Sequence, residues 1–186
     1  MKPEIRILGI DDAPFDKFKG GKTKLIGAFF RGGRLLDGVL STEITVDGND
    51  ATDKIISMVK KSKFYTQIRA ILLNGIAVGG FNVIDIKKLN QKTKIPVIIV
   101  IRNHPDVKRI KEILIKLRKK SKIRYLENAG KIYKSGAIYT QFAGTSKKKA
   151  EEILKISTIH AFVPEPLRVA HLIASGVTYG ESRGKS

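Results

Sequence analysis

Two carboxylates stand side by side at the end of an apolar run, Ile7-Leu8-Gly9-Ile10-Asp11-Asp12-Ala13-Pro14-Phe15. Successive side chains of a strand point to opposite faces, so Asp11 and Asp12 face different sides. A carboxylate at the end of a buried strand is costly unless it is paired, hydrogen-bonded or bound to a metal. One reading is therefore the first ligand strand of a metal site. The other is a strand-to-turn exit, because Asp favours turns and Pro14 cannot continue a central ladder. Other acidic and polar motifs bear on this site only if the fold carries them to Asp11.

The chain carries 36 Lys and Arg against 17 Asp and Glu, a net charge of +19. Such an excess concentrates polyanions around a protein and speeds encounter with them, so DNA or RNA is the expected partner. A surface on which lysines merely solubilise is the alternative. The most basic helix lacks the large aromatic anchors of an interfacial helix, so no membrane partner is expected. No apolar run reaches the ~18 residues that span a bilayer. The longest, Ile95 to Ile101, has the length of a buried strand. Cysteine is absent, which excludes disulfides and thiolate metal sites and suits a cytoplasmic protein. Met1-Lys2-Pro3-Glu4 leads into a strand with no signal peptide ahead of it. A hydrophobic content of 42% over 186 residues supports one globular domain spanning residues 1–186.

The elements that must position the carboxylates follow from periodicity. Strands are expected at Glu4 to Ile10, Thr23 to Phe30 and Leu35 to Val46, with Arg31-Gly32-Gly33-Arg34 as a hairpin turn. Asp47-Gly48-Asn49-Asp50 is a turn into a helix over Ala51 to Lys61, where Ile55, Ile56 and Val59 share a buried face. Ile68 to Leu73 and Ile95 to Ile101 are short, fully apolar strands of the kind found in parallel sheets. Between them lie a glycine-containing loop from Ile76 to Asn82 and a helix from Val83 to Leu89, on which Asp85 reads as a solvated residue. Pro105 opens a helix to about Lys120 that presents Lys108, Lys111, Lys116 and Lys119 on one side, a phosphate-contacting or simply solvated face. Short strands follow at Ile123 to Leu126, Lys131 to Lys134 and Ala137 to Phe142. One helix begins after Gly144-Thr145-Ser146; the last runs from Pro164 to Ala174 and stops at Ser175-Gly176, leaving a polar tail from Gly180. Three strands, a helix, then alternating strands and helices give an α/β fold with a ribonuclease-H-like mixed sheet, antiparallel for its first three strands and parallel thereafter. A dinucleotide fold would want Gly-x-Gly-x-x-Gly after the first strand, where Asp-Asp stands instead.

The order of elements and several motifs resemble endonuclease V and, more closely, an archaeal family related to it. Gly9-Ile10-Asp11 is similar to the endonuclease V first-strand motif, whose Asp binds metal. Asn74-Gly75 stands where that family has Asp-Gly, and Gly79-Gly80-Phe81-Asn82 where it has a glycine-containing turn. Ile95-Pro96-Val97 resembles its next strand, with Arg102 near the position of a lysine. Pro164-Glu165-Pro166-Leu167-Arg168-Val169-Ala170-His171 looks like its late Pro-x-Pro-x-Arg-x-Ala segment, which ends in a catalytic Asp or His. The Pro-Tyr-Ile-Pro wedge of endonuclease V has no counterpart here.

The resemblance implies a nucleic-acid-binding protein with Mg²⁺- or Mn²⁺-dependent phosphodiesterase activity. Asp11, Asp50 and His171 are the candidate catalytic residues, and Asp11, Asp50 and Asn74 the candidate metal ligands. Asp47 is an alternative to Asp50, and the competing role for Asp50 is a helix cap. Asn74 supplies at most a neutral carbonyl oxygen. Arg102, Arg168, Lys108, Lys111 and Lys119 are the candidate phosphate contacts. His171 and Arg168, three residues apart, share a helical face. A non-catalytic nucleic-acid-binding protein on the same fold, or an α/β protein holding a small phosphorylated ligand, would use the same strand ends.

Overall fold

The computed structural model describes residues 3–160 and 162–183. The end of the predicted polar tail, residues 184–186, lies outside them, as do residues 1 and 2. A seven-stranded sheet holds the molecule together. Its first three strands are β1 (Arg6–Asp12), β2 (Lys22–Arg31) and β3 (Leu35–Thr45), each antiparallel to the next. Then come α1 (Ala51–Lys61), β4 (Ala70–Asn74), the two-residue strands β5 (Ala77–Val78) and β6 (Asn82–Val83), α2 (Ile86–Thr93) and β7 (Val97–Ile101). The chain continues with α3 (Val107–Lys116), a 3-10 turn (Lys120–Lys122), α4 (Ile123–Asn128), β8 (Tyr133–Ser135), β9 (Ile138–Ala143), α5 (Lys147–Ser157) and α6 (Glu165–Tyr179).

The strand order is β3-β2-β1-β4-β7-β9-β8. β1, β4 and β7 run parallel at the centre, and β9 and β8 add antiparallel strands at the far edge. The mixed sheet expected from sequence is thus present, but its last two strands are antiparallel where parallel ones were expected, because β9 follows β8 in a hairpin. The chain turns one way from β1, into β2 and β3, and then returns to lay β4 on the other side. The carboxyl ends of β1 and β4 therefore flank the place where strand order reverses, which is where open α/β sheets bind ligands.

Apolar residues fix the register on both faces. Leu8, Ile10, Ile71, Leu73, Val97 and Ile99 pack under Ile55 and Val59 of α1 and Ile86 and Leu89 of α2. Ile7, Leu72, Ile98 and Val100 pack under Ile153 and Leu154 of α5 and Leu167 of α6. Each such side chain contributes roughly 1.5–3 kcal/mol on burial, and a one-residue slip would reverse every one of them.

Four local expectations are corrected. Ile123–Asn128 is helical, not extended: Ile123 and Leu126 are three apart and dock together on Leu114 and Val83. The Ile76–Asn82 loop contains the β5–β6 hairpin, so α2 begins at Ile86. Asp85 then becomes its N-cap, accepting from the Lys88 amide at 2.9 Å, and is not a free solvated residue. α6 passes through Ser175-Gly176 and ends at Gly180, whose φ of 79° closes the helix.

Candidate active site at the strand ends

The parallel register pairs Ile10 with Leu73, so the next residues, Asp11 and Asn74, emerge together at the sheet edge. Asn74 donates from Nδ2 to Asp11 Oδ1 at 3.1 Å, and the Asp12 amide donates to the same oxygen at 3.0 Å. The other Asp11 oxygen meets His171 Nδ1 at 3.0 Å. Asp11 is only 3% exposed. Its burial is offset by donors from three segments, β1, β4 and α6.

Gly9 makes the third segment's approach feasible. A Cβ at Gly9 would collide with the backbone of Pro166 and Leu167 at the start of α6. Without it, the helix lies against β1 and carries His171 to the strand end. The hydrogen bond to Asp11 raises the His171 pKa above its ordinary value, opposed by burial and by the charge of Arg102. Arg102 thus stands close enough for its field to reach the imidazole. His171 Nε2 is buried with no hydrogen-bond partner among the described residues.

Asp12 faces the other side, as alternation requires. Its carboxylate accepts from the Gly79 amide at 2.8 Å. Burial, and then repulsion from Asp11, push its pKa up to about 6.

Asp50 is not brought to Asp11. Its carboxylate accepts from the Thr45 amide and hydroxyl and, at 2.7 Å, from Asn82 Nδ2. Burial alone would raise its pKa, but the hydrogen bonds from Asn82 and Thr45 outweigh burial and lower it. Nor does it cap α1 through its side chain. Asn82 Oδ1 takes the first amide of that helix, from Ala51, instead. Asp47 is also engaged elsewhere, accepting from the Phe81 amide at 2.7 Å. Among the described residues no three His, Asp or Glu side chains gather where they could hold a metal.

The donors at Asp11 are thus one carboxylate, one amide and one imidazole. A pair of Mg²⁺ ions needs more anionic oxygen than this. A single Mg²⁺, which keeps most of its water and draws on substrate phosphate, needs only one or two carboxylates. The residues present fit one ion and do not fit two.

The predicted phosphate contacts divide. Lys108 and Arg102 are exposed. Lys111 pairs with Glu127 at 2.7 Å. Lys119 donates to the Asp47 carbonyl at 2.6 Å. Arg168 binds the buried carboxylate of Glu165 at 2.7 Å, which ties the first turn of α6 to its second. Lys111, Lys119 and Arg168 therefore have partners within the protein; the Glu165 partner of Arg168 is buried, whereas the Glu127 partner of Lys111 is exposed. Sequence reasoning missed Lys122, which is 2% exposed and donates to the carbonyls of Asp47, Gly48 and Phe81. Nothing in the lysine-rich segment distinguishes it beyond its position beside Ile123.

Residues 3–178 match the family described as Endonuclease dU. The chain belongs to that family. A UPF0215 protein of Methanothermobacter thermautotrophicus is 50% identical over 191 residues, covering all of this chain and 94% of the relative. The crystal structure of a protein of unknown function from Archaeoglobus fulgidus superposes with a TM-score of 0.87 at 43% identity, covering 93% of this chain and 98% of that one. Endonuclease V of Ciona intestinalis, solved with a 24mer DNA containing an inosine followed by a ribo-adenosine, superposes with a TM-score of 0.59 at 12% identity, covering 89% and 82%. That last likeness shows a shared ribonuclease-H-like fold. No helix among the described residues is long and apolar enough to cross a membrane.

Proposed function

We propose that this protein is a divalent-metal-dependent endonuclease that cuts nucleic acid near a deaminated base, with deoxyuridine in DNA as the first substrate to try. The observation that carries the reading is the convergence of Asp11, Asn74 and His171, from three distant segments, at the carboxyl ends of two parallel strands. The family description, the DNA bound by the endonuclease V structure and the net charge of +19 support it.

Asp11 and Asn74 would hold a single Mg²⁺ or Mn²⁺, Asn74 through its carbonyl oxygen. Such an ion polarises a phosphoryl oxygen and acidifies bound water. Asp11 fixes the imidazole through Nδ1, leaving Nε2 to exchange a proton with the attacking water or the leaving oxygen. Arg102 would meet the phosphate, and exposed Lys108 the flanking backbone. Lys111, Lys119 and Arg168 are left to structural duties.

The test is cleavage of oligonucleotides containing deoxyuridine, inosine or neither, with Mg²⁺ or Mn²⁺. Metal-dependent cutting that Asp11→Ala abolishes is expected. If the wild-type protein cuts nothing, or Asp11→Ala cuts equally well, the nuclease reading fails. The second reading is a nucleic-acid-binding protein without cleavage. It is favoured by the neutral Asn74 and by an Asp11 whose two oxygens already have partners. Salt-dependent binding without cutting would select it.

A further inference from the structure

Lys122 belongs to the connection between α3 and α4, yet its ammonium lies among carbonyls of two other loops. Those of Asp47 and Gly48 come from the turn before α1, and that of Phe81 from the β5–β6 hairpin. A buried lysine is costly unless its charge is satisfied, and three carbonyl oxygens resemble the coordination of a monovalent cation more than an ion pair. The charged groups that face it are Lys119 and the carboxylates of Asp47 and Asp50.

The two loops it joins also bind one another. The Asp47 amide donates to the Gly79 carbonyl at 2.7 Å, and the Phe81 amide to the Asp47 carboxylate at 2.7 Å. Gly79 in turn donates to Asp12. Gly79 and Gly80 hold φ of 53° and 81°, so the hairpin depends on a backbone conformation that few other residues accept. The same loop starts at Gly75, directly after Asn74.

We propose that Lys122 is a positioning residue for the strand-end centre: its ammonium, seated in a carbonyl cage, locks the 47–50 and 79–82 loops together. Through the Gly79 amide the lock seats the Asp12 carboxylate on the face that alternation gives it, and so steadies the end of β1 that carries Asp11. Only the effect on turnover rests on the nuclease reading; the lock itself does not.

Lys122→Ala removes the ammonium from the Gly48 and Phe81 carbonyls and leaves Lys119 alone on that of Asp47. Amide exchange at Asp47 and Phe81 is expected to quicken about tenfold, while β4 and β7 amides keep their rates. With a deoxyuridine oligonucleotide and Mn²⁺, kcat is expected to fall about tenfold with KM little changed, because the loss is one of alignment. K⁺ or methylammonium is expected to restore part of both effects by refilling the cage, and tetramethylammonium at equal ionic strength is not. Unchanged exchange, or a loss that small cations do not relieve, overturns the proposal. If the wild-type protein cuts no oligonucleotide, the nuclease reading fails while exchange and rescue still decide the lock. Should Lys122→Ala not fold, the wild-type protein decides: Asp47 and Phe81 amides opening as one unit support the lock, and separate openings refute it.

Discussion

Asp11 and Asp50 are both carboxylates bound by an asparagine from a distant segment. Asn74 donates to Asp11 at 3.1 Å, and Asn82 to Asp50 at 2.7 Å. The surroundings differ. Around Asp50 both sides of the bond are closed: Asn82 spends its carbonyl oxygen on the Ala51 amide and its amide on Thr45 and Asp50, and Thr45 adds two further donors. Around Asp11 the chain of partners stops at His171, whose Nε2 is buried with no hydrogen-bond partner among the described residues, the Arg183 backbone lying near enough only to help raise the imidazole pKa. A closed polar network specifies a loop. An unfinished one, at the carboxyl ends of parallel strands, stands where open α/β sheets bind ligands. The same pair of residue types thus ties a loop in one place and leaves a site unfinished in the other.

The sharpest break of this comparison is catalytic. Asp11→Ala is expected to lower cleavage roughly a thousandfold, whereas Asp50→Ala, which loosens only the tie to Asn82, lowers the rate per folded molecule by no more than about tenfold. Equal losses in a single-turnover assay would put both carboxylates in one site. The next contrast is in stability. Asn82→Ala strands Ala51, Thr45 and Asp50 partners at once and is expected to cost about 3 kcal/mol in urea unfolding. A cost under about 0.5 kcal/mol would show that water replaces the network.

The third contrast is in pH. The His171 pKa is raised in the folded state, so the stability its ion pair contributes is complete below the ordinary value of 6.5 and disappears as pH rises through the folded value. An NMR titration is expected to place His171 above 6.5 in the wild-type protein and to bring it down in Asp11→Asn. No movement in Asp11→Asn would remove Asp11 as the cause. The smallest effect is on binding. Lys108→Gln is expected to weaken nucleic-acid binding a few-fold and flatten the salt dependence by about one unit, and Lys111→Gln, already paired with Glu127, to flatten it less. Equal slopes would erase the distinction between exposed and paired lysines.

Much of the sheet was legible because its central strands are short, apolar runs with no competing helical period. Ile123–Asn128 was not, since so short a segment shows no clear period and docking on Leu114 decided for a helix. Within the site, Gly9-Ile10-Asp11 and the segment ending at His171 carried a readable pattern. Asp50 misled, because an acid at a helix start reads alike as ligand, cap or loop tie. Lys122 left no trace, because its role depends on carbonyls of residues 47, 48 and 81, which sequence does not bring near it.

Composition and periodicity alone determined a basic, cysteine-free α/β domain with Asp11 and Asp12 on opposite faces of its first strand, because charge is additive and side-chain alternation is local. Which acids met, which lysines stayed free and which polar atom was left open were decided by tertiary structure. Those outcomes depend on strand register and on how closely α6 lies over Gly9, and neither is a property of any one segment.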